Sequence, residues 1–414
     1  MDRTERQKLC LTNWVKSNCR GVIQACTGFG KSRTGLMAIK LWRLKNPNLS
    51  TIIVVPTKLL KDQWEKQVVD IPNVSVQVIN SAIKINQQCD LLIIDEIHRT
   101  PADSFRQIFT NCKFNYILGL TATLERLDGK HEILKEICPI CDTISVDEAL
   151  ENDWVSPYKE YLVLIEPDDI DTYNALNSEF QEHFEFFNWN FSLAMACVGP
   201  KGFATRNALR QQMCANNPKL NPKTVYNAIT YHATGLMRTM QGRKKYVNEH
   251  PKKIELARKI VQFRPFSKII TFSATVEVAK NLAIGNVYTG KQSDKKSKDL
   301  LDKFNSESKG VLSTVKRADE GLDVKGLNCA IILGQDSSPT RLTQRLGRVI
   351  RYEEGKTAEV FTLAIADTVE LSWFRKSHEG KEYITIDADN LMNVLCGKPY
   401  DEYKKHINQT MFRF

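Results

Sequence analysis

The sequence has no long hydrophobic run, no internal repeat and no low-complexity segment. Its 414 residues contain no stretch of about 18 or more apolar residues, so we expect no membrane-spanning helix. A charged-then-apolar leader is also missing, because the chain opens with the polar run MDRTERQK. With 42% hydrophobic residues the chain is long enough for two or three packed cores, and we expect a multidomain globular protein.

The eleven cysteines form no repeating frame. Only Cys138 and Cys141 are close together, and a zinc or iron–sulfur site normally needs two further ligands at a readable spacing. We therefore expect no metal at this pair. Cysteines scattered in this way favour a reducing, cytoplasmic location.

The charge balance does not identify the type of molecule that the chain binds. Lysine and arginine outnumber aspartate and glutamate by 58 to 48, which gives a net charge of +10. This excess is modest for the length of the chain. A slightly basic soluble protein and a nucleic-acid-binding protein explain it equally well.

Short apolar runs alternate with amphipathic stretches in two parts of the chain, which predicts an α/β fold with parallel sheets. Between these parts, from about residue 168 to 250, helical periodicity replaces the strand pattern. The predicted strands include TIIVV (51–55), DLLIID (90–95), NYILGLT (115–121), KIITFSA (268–274), GVLST (310–314) and NCAIILG (328–334). The predicted domains are a first α/β domain (1–157), a mainly helical insert (158–250), a second α/β domain (251–366) and a short C-terminal tail (367–414).

The segment ACTGFGKS (25–32) has the features of a phosphate-binding loop. It follows the apolar run GVIQA and precedes a helical pattern, which is the context that such a loop requires. Its glycines let backbone N–H groups turn toward phosphate oxygens, and Lys31 adds a positive charge between the β- and γ-phosphates. The predicted ATP-binding residues are Thr27, Gly28, Gly30, Lys31 and Ser32, with Ser32 also a Mg²⁺ ligand.

Two consecutive carboxylates follow the apolar run LLII (91–94). We predict that Asp95 holds Mg²⁺ and that Glu96 orients and deprotonates the attacking water. A surface acidic turn is the alternative, but the preceding run is too apolar to be exposed. ATP and Mg²⁺ are therefore the expected cofactors.

A third charged motif, QRLGRVIR (344–351), predicts catalytic arginines. Phosphoryl transfer needs positive charge near the γ-phosphate, and an arginine from a second domain supplies it when a cleft closes. On a helix Arg348 and Arg351 share one face, and Gln344 lies one turn before Arg348. We predict that all three face the nucleotide, with Gln344 orienting the water or bridging the domains. A salt-bridged surface helix is the alternative.

Taken in order, these motifs resemble those of superfamily 2 helicases of the DExH-box type, whose first motif commonly lacks the glycine that Ala25 replaces. The resemblance implies two RecA-like domains with ATP in the cleft between them. The matching segments are ACTGFGKS, VVPTKLLKDQW (54–64), DEIH (95–98), LTAT (120–123), IITFSAT (269–275), STVKRADEGLDVKGLN (313–328) and QRLGRVIR.

The resemblance also implies roles for residues outside the catalytic groups. It implies that Thr121 and Thr123 couple the nucleotide state to the grip on the strand, and that Asp323 contacts the nucleotide. Gln7 occupies the position of an adenine-reading glutamine, although Thr4 replaces the arginine that relatives have three residues earlier. The implied contacts to the nucleic-acid backbone are Pro56, Thr57, Lys58, Ser313 and Thr314.

The motif spellings are similar to the group of DNA helicases that includes the UvsW, RecG and XPB types. This similarity implies a monomeric DNA helicase or translocase that remodels branched, forked or duplex DNA with recombination or replication proteins, in the cytosol of a bacterium or a phage-infected cell. Three alternatives stay open: an ATP-gated clamp or annealing factor that does not separate strands, the motor subunit of a restriction complex, and an RNA helicase. His98 argues against an RNA helicase of the DEAD type, which has a different residue at this position. It does not exclude an RNA helicase, since some DExH enzymes act on RNA.

The helical insert carries two features of ambiguous meaning. Phe184, Phe187 and Phe191 recur at helical spacing, which is more typical of a packed core stripe than of a base-stacking wedge. The basic residues fit a DNA channel or a solvated face equally well. They include Arg206, Arg210, Arg238, Arg243, Lys244 and Lys245.

Overall fold

The computed structural model describes most of the chain. Asp323, predicted to contact the nucleotide, lies outside the described residues. The described residues are 1–100, 104–124, 129, 132–289, 292–315, 322, 324–335 and 337–403.

The first domain is a six-stranded parallel sheet with helices around it, in the strand order β3-β2-β4-β5-β1-β6. Its strands are β1 (Arg20–Ala25), β2 (Thr51–Val55), β3 (Val74–Val78), β4 (Gln87–Asp95), β5 (Cys112–Thr121) and β6 (Ile140–Ile144). Its helices are α1 (Arg3–Lys16), α2 (Lys31–Arg43), α3 (Lys58–Val68), α4 (Ile79–Ala82), α5 (Ile108–Asn111), α6 (Glu132–Ile137) and α7 (Val146–Glu151), with a 3-10 helix at Ile97–Arg99. The central strands are apolar and buried on both faces, which is how a helix-covered parallel sheet forms its cores.

The second domain has a seven-stranded sheet in the order β13-β7-β12-β11-β8-β10-β9, and the strand pairs are parallel. Its strands are β7 (Tyr158–Ile165), β8 (Lys268–Ser273), β9 (Asn286–Tyr288), β10 (Gly310–Val315), β11 (Cys329–Ile332), β12 (Ala358–Ile365) and β13 (Ile384–Asp387). The prediction of two parallel-sheet α/β domains with a helical insert is confirmed.

The insert leaves the second sheet after β7 and returns to it before β8. It has its own hydrophobic core, formed by residues such as Phe180, Phe184 and Phe187. Its helices are α8 (Ile170–Glu185), α9 (Phe191–Ala196), α10 (Phe203–Asn216) and α11 (Pro222–Asn248), with a 3-10 helix at Pro200–Gly202. The remaining helices of the second domain are α12 (Pro251–Phe263), α13 (Val276–Asn281), α14 (Asp294–Ser306), α15 (Pro339–Val349), α16 (Val369–Ser377) and α17 (Ala388–Leu395).

Two predicted boundaries are wrong. β7 pairs with β12 from Tyr158 to Ile165, so 158–165 belongs to the second sheet and the insert begins after it. β13 pairs with β7, so the predicted tail contributes a strand to the same sheet. Both errors have one physical cause: each strand pairs with a partner distant in sequence, and local periodicity does not identify such partners.

In the part of the chain that the structure describes, no helix is both long and apolar enough to cross a lipid bilayer.

Candidate active site

The phosphate-binding loop connects β1 to α2 at the carboxyl edge of the first sheet. Gly28 and Gly30 have φ of +96° and +99°, in the left-handed region that favours glycine. A Cβ at Gly30 would lie 2.6 Å from Nε2 of Gln7, so the loop also needs glycine for space. The Lys31 ammonium donates to the Ala25 carbonyl at 3.0 Å, and its positive charge acts on Asp95 and Glu96 at the end of β4.

Gln7 is completely buried under this loop. Its Nε2 donates to the Phe29 carbonyl at 2.9 Å, and its Oε1 has no hydrogen-bond partner within the described protein. The side-chain amide therefore supports the loop directly, and its carbonyl oxygen is left to accept from another donor.

Asp95 ends β4 and is buried. Its Oδ2 accepts from the indole N–H of Trp64 at 2.9 Å, and its Oδ1 accepts from the backbone N–H of Glu96 at 3.1 Å. Burial, followed by the adjacent charge of Glu96, raises the pKa of Asp95 to about 6. Trp64 was not predicted as a site residue, although it is the last residue of the quoted segment VVPTKLLKDQW.

Glu96 lies in a different environment from its neighbour. Its φ of +53° is unusual for a residue other than glycine and turns the chain into the 3-10 helix. Its Oε2 lies 3.3 Å from Nδ1 of His98. Burial alone raises the pKa of Glu96, but the hydrogen bond from His98 and the positive charges of Lys31 and Arg348 outweigh it and hold this pKa below its usual range.

His98 connects Glu96 to the motif that follows β5. Its Nδ1 lies 3.0 Å from the Thr121 hydroxyl, which donates to the Thr123 carbonyl at 2.7 Å. Because that hydroxyl hydrogen is used, His98 Nδ1 carries the proton and donates. His98 therefore lies between Glu96 and the two threonines predicted to couple the nucleotide state to strand grip.

The donor set fits Mg²⁺. Ser32 and Asp95 line the same cleft, and hydroxyl and carboxylate oxygens are the hard ligands that Mg²⁺ prefers. Mg²⁺ held there would neutralise charge on the β- and γ-phosphates.

The cleft has a volume of about 420 Å³ and is lined by both domains. The second domain contributes Gln344, Arg348 and Arg351, all from or just after α15. They face a first-domain wall that contains Thr27, Gly28, Gly30, Lys31, Ser32, Asp95 and Glu96. The structure thus brings together three segments that are far apart in sequence.

Helix α15 packs directly on the phosphate-binding loop. The Thr27 hydroxyl donates to the Thr343 carbonyl at 3.4 Å, and a Cβ added to Gly347 would lie 1.9 Å from Thr27 Cβ. Gly347 therefore sets how closely the arginine helix approaches the loop. Arg348 also donates to the Leu322 carbonyl, which fixes its guanidinium within the second domain.

Arg3 and Tyr352 are among the cleft-lining residues that were not predicted. Arg3 donates to the Trp154 carbonyl, and its guanidinium lies 6.0 Å from the ring centre of Tyr352 in the second domain. Arg3 is four residues before Gln7, so both lie on the same face of α1. Arg3 stands one residue before Thr4, the position at which relatives have an arginine.

The linker between the domains is bonded to the end of the arginine motif. Val155 and Arg351 form an antiparallel bridge. The Ser156 hydroxyl donates to the Arg351 carbonyl at 3.1 Å and accepts from the Glu353 N–H at 3.0 Å. The Ser156 N–H donates to the Ile350 carbonyl at 2.8 Å. Ser156 is a positioning residue that sequence reasoning missed.

The residues predicted to contact the nucleic-acid backbone are only partly accessible. Pro56 and Thr57 follow β2 and are half-buried, Lys58 is exposed, and the Thr57 hydroxyl caps α3 by accepting from the Leu60 N–H at 3.3 Å. Ser313 and Thr314 are fully buried within β10, which corrects their prediction as backbone contacts.

The hydroxyls of these two buried residues bond inside the domain. Thr314 donates to the Thr271 carbonyl at 2.6 Å, and Ser313 donates to the Ile284 carbonyl at 3.3 Å. The physical reason is the register of β10, which lies between β8 and β9 with its hydroxyls turned toward neighbouring carbonyls.

Known families match the two domains separately. Residues 1–80 and 71–126 match the family described as type III restriction enzyme, res subunit. Residues 252–353 match the family described as helicase conserved C-terminal domain.

Similar curated proteins come from archaea, a virus and an insect. The DNA 3'-5' translocase XPB2 of Sulfurisphaera tokodaii is 26% identical over 86% of this chain, which spans 80% of that protein. Putative helicase 22 of Sulfolobus islandicus filamentous virus is 25% identical over 81% of this chain and 58% of its own length. The general transcription and DNA repair factor IIH helicase/translocase subunit XPB of Drosophila melanogaster is 26% identical over 70% of this chain, which spans only 30% of that protein.

Solved structures with the same fold are similar over nearly the whole chain. The structure of S. cerevisiae Dbp5 bound to RNA and ADP BeF3 has a TM-score of 0.59 at 13% identity and covers 94% of this chain and 91% of its own. The Pyrococcus furiosus Hef helicase domain has a TM-score of 0.51 at 17% identity and covers 90% of this chain and 98% of its own. With two matched helicase domains and XPB relatives over most of its length, the chain belongs to superfamily 2 of the helicases and is related to XPB.

Proposed function

We propose that this helicase uses ATP hydrolysis to move along DNA and to remodel branched or forked duplexes. The observation that carries the proposal is the cleft, where Arg348 and Arg351 of one domain face Lys31 and Glu96 of the other. A site divided between two domains is complete only when they close, so nucleotide binding and domain movement are coupled.

Each residue of the cleft has a task in hydrolysis. Lys31 and the N–H groups of the loop hold the phosphates of ATP, and Ser32 and Asp95 would hold Mg²⁺. Glu96 has a depressed pKa and is therefore ionised at neutral pH, so it can accept a hydrogen bond and a proton from the attacking water. Arg348 and Arg351 stabilise the charge that develops on the γ-phosphate.

The adenosine end of ATP would lie toward Arg3 and Tyr352. An arginine and a tyrosine ring that face each other across the cleft offer two flat surfaces for a purine. Gln7 is buried beneath the loop, and its side-chain carbonyl oxygen has no hydrogen-bond partner within the described protein. These groups belong to both domains, so the base also contributes to closure.

Glu96 and Thr121 both lie against Nδ1 of His98, at 3.3 and 3.0 Å, and these contacts provide a path out of the cleft. Loss of the γ-phosphate changes the environment of Glu96 first. The change then reaches the segment after β5, which lies at the same edge of the sheet as Thr57 and Lys58 after β2. We assign the contact with the DNA backbone in the first domain to this edge.

DNA is favoured over RNA by the relatives that cover most of this chain. The archaeal relative is a DNA translocase by name, and the insect relative belongs to a transcription and DNA repair factor. The branched-DNA proposal rests on the motif spelling and on the helical insert, which adds a third body to the two motor domains.

The test is ATP-dependent conversion of a labelled four-way DNA junction by the purified chain, with a matched RNA duplex beside it and Glu96→Gln as control. We expect the wild type to convert the junction and leave the RNA intact, and Glu96→Gln to convert neither. Conversion of the RNA alone would replace the proposal with an RNA helicase. Hydrolysis stimulated by DNA without conversion would replace it with a clamp or annealing factor.

A further inference from the structure

The helical insert has an unusual distribution of charge. From Phe186 to Asn248 the sequence contains nine lysine and arginine residues and neither aspartate nor glutamate. Helix α8 and the residues leading into it carry the acidic side chains that precede this segment, and one of them, Glu179, pairs with Arg238 of α11. The insert therefore has one acidic helix, while the rest, from α9 through α11, carries only positive charge.

Two of the nine cations have structural tasks. Arg206 is buried and donates to the Cys197 and Gly199 carbonyls at 2.6 and 2.8 Å. Arg243 is buried with its guanidinium 4.2 Å from the ring centre of Phe180. Arg210 is half-buried. The exposed cations are Lys201, Lys219, Lys223, Arg238, Lys244 and Lys245. A predominantly positive surface thus remains after the buried pair is set aside.

Large aromatic rings are exposed on the same segment. Phe203 and Tyr231 are each 61% exposed, Trp189 is 51% exposed and Phe191 is 48% exposed. The predicted core stripe is correct for Phe184 and Phe187, which are buried. Four exposed rings in a body of about 80 residues offer apolar surface that a partner can cover.

Three of the exposed rings pack against buried rings of the insert. Trp189 and Phe191 both contact the buried Phe184 edge to face, with ring centres 5.2 and 6.2 Å away. Tyr231 contacts the buried His183 at 5.3 Å. Trp189 also has a φ of +60°, directly after Asn188 at +48°, so two consecutive residues adopt a strained conformation that presents the indole to solvent.

We propose that the segment from Phe186 to Asn248 binds single-stranded DNA, with bases stacked on its exposed rings and phosphates paired with its exposed lysines. The rings are Trp189, Phe191, Phe203 and Tyr231. Unpaired bases offer flat faces for exposed rings, whereas duplex bases are already stacked. The lack of acidic residues over 63 positions from 186 to 248 fits a polyanion and not a mixed-charge protein surface. The choice of DNA as the bound nucleic acid rests on the proposed function. The binding site itself lies outside the ATP cleft.

The test is fluorescence anisotropy of a labelled twenty-nucleotide oligo-dT with the full chain and no nucleotide. The variant Trp189→Ala/Phe203→Ala/Tyr231→Ala removes three rings, and loss of each stacked base is expected to weaken binding about tenfold. Phe266→Ala removes a ring that is 81% exposed in the second domain and serves as the matched control. We expect the triple variant to bind the oligonucleotide at least a hundredfold more weakly and the control to bind like the wild type.

Two further measurements distinguish a loss of binding from misfolding of the triple variant. Lys219→Glu/Lys223→Glu changes only exposed side chains and should weaken oligo-dT binding and reduce its salt dependence. Oligo-dT should quench part of the tryptophan emission of the wild type, and Trp189→Phe should bind with similar affinity while losing that quenching. Both variants should keep the basal ATPase rate, because the insert contributes no residue to the cleft lining.

Several results would overturn the proposal. These are wild-type affinity for oligo-dT in the triple variant, no binding of oligo-dT by the wild type, or a loss confined to a twenty-base-pair duplex. Failure of the proposed function is distinguishable, because it appears as an absence of DNA-stimulated ATP hydrolysis in the wild type whether or not oligo-dT binds.

Discussion

Asp95 and Glu96 are adjacent in sequence, but their surroundings give them different chemistry. Asp95 is enclosed and bonded to Trp64, and burial raises its pKa to about 6. Glu96 faces His98, Lys31 and Arg348, which lower its pKa. Pairs of acids whose environments separate their pKa values are typical of sites where one binds metal and the other handles protons.

Replacing Trp64 with phenylalanine should raise the Mg²⁺ concentration needed for ATP hydrolysis. The change keeps most of the ring but removes the N–H that holds Asp95 Oδ2. A lost hydrogen bond to a carboxylate is worth about 1.5–3 kcal/mol, so a tenfold or larger shift in half-saturating Mg²⁺ is expected. Steady-state ATPase assays across a Mg²⁺ titration measure this shift in the half-saturating concentration.

Trp14→Phe is the control for this prediction. Trp14 is also buried in the first domain, and its N–H donates to the Ile117 carbonyl at 2.8 Å, away from the cleft. Both variants should lower the melting temperature, but only Trp64→Phe should change the Mg²⁺ requirement. An equal shift in both variants would show that Trp64 has a general structural role only.

The residues that sequence predicted and those it missed differ in how far their contacts reach along the chain. Lys31, Asp95 and Glu96 lie in short motifs at strand ends, so local pattern identified them. Trp64 contacts a residue 31 positions away, and the bonds of Arg3 and Ser156 span 151 and 195 positions. Contacts of that range depend on the packing of whole elements, which a motif does not encode.

At the scale of elements, the linker between β6 and β7 is part of the catalytic apparatus. Ser156 ties it to Arg351 and Glu353, directly after α15. Replacing Ser156 with alanine should slow ATP turnover about tenfold while ATP affinity changes little, because two hydrogen bonds of about 1 kcal/mol each are lost at the arginine segment. Steady-state kcat and nucleotide titration separate the two effects.

Ser145→Ala is a suitable comparison for the linker variant. Ser145 caps α7 by accepting from the Glu148 N–H at 2.9 Å and does not line the cleft. Its loss should cost about 1 kcal/mol of stability without slowing turnover. Unchanged kcat in Ser156→Ala would contradict the positioning role.

The insert helices should lose stability in mild acid. His232 of α11 stacks on Phe186 and lies 3.1 Å from His183 of α8, nitrogen to nitrogen, with Glu182 and Glu179 nearby. Burial and the neighbouring His183 lower the pKa of His232 below 6.5. The unfolded chain therefore binds the proton more readily, and stability present above about pH 6.5 is lost as the pH falls.

The measurement is the melting temperature between pH 7.5 and 5.5. We expect a smaller decrease in His232→Gln than in the wild type, because glutamine does not titrate. The same slope in both proteins would contradict this account of the α8–α11 contact.

Element boundaries show where sequence reasoning stops. The runs at 51–55, 90–95 and 115–121 correspond to β2, β4 and β5, because each is apolar and bounded by polar residues. β7 was assigned to the insert, since its partner β12 is about 200 residues further along the chain. Strand identity is a local property, whereas sheet membership is not.

For the molecule as a whole, catalysis depends on how closely the two domains approach. Gly347 packs against Thr27 with no space for a Cβ, so Gly347→Ala should separate α15 from the phosphate-binding loop. We expect at least a hundredfold loss of ATP turnover, because both arginines move away from the γ-phosphate. Circular dichroism should remain that of a folded protein.

Gly242→Ala controls for the effect of an alanine in a helix. A Cβ there meets only the flexible Leu176 side chain, at 3.1 Å, within the insert. It should leave turnover close to wild type. Normal hydrolysis by Gly347→Ala would mean that the close packing of α15 on the loop is not required.

The order of motifs in the sequence was enough to predict two domains and a cleft between them. It was not enough to predict which domain β7 and β13 join, or that Tyr352 lies opposite Arg3. These features arise from sheet order and domain orientation.

In our proposal, the cleft is a motor site that hydrolyses ATP, and DNA stimulates this hydrolysis. The most direct test of this proposal is the steady-state ATPase rate of the wild type, Glu96→Gln and Arg348→Lys, each with and without duplex and single-stranded DNA. We expect DNA to stimulate hydrolysis by the wild type, and we expect both variants to remain folded and to lose hydrolysis. Equal rates in Glu96→Gln and the wild type, or no response of the wild type to DNA, would contradict it.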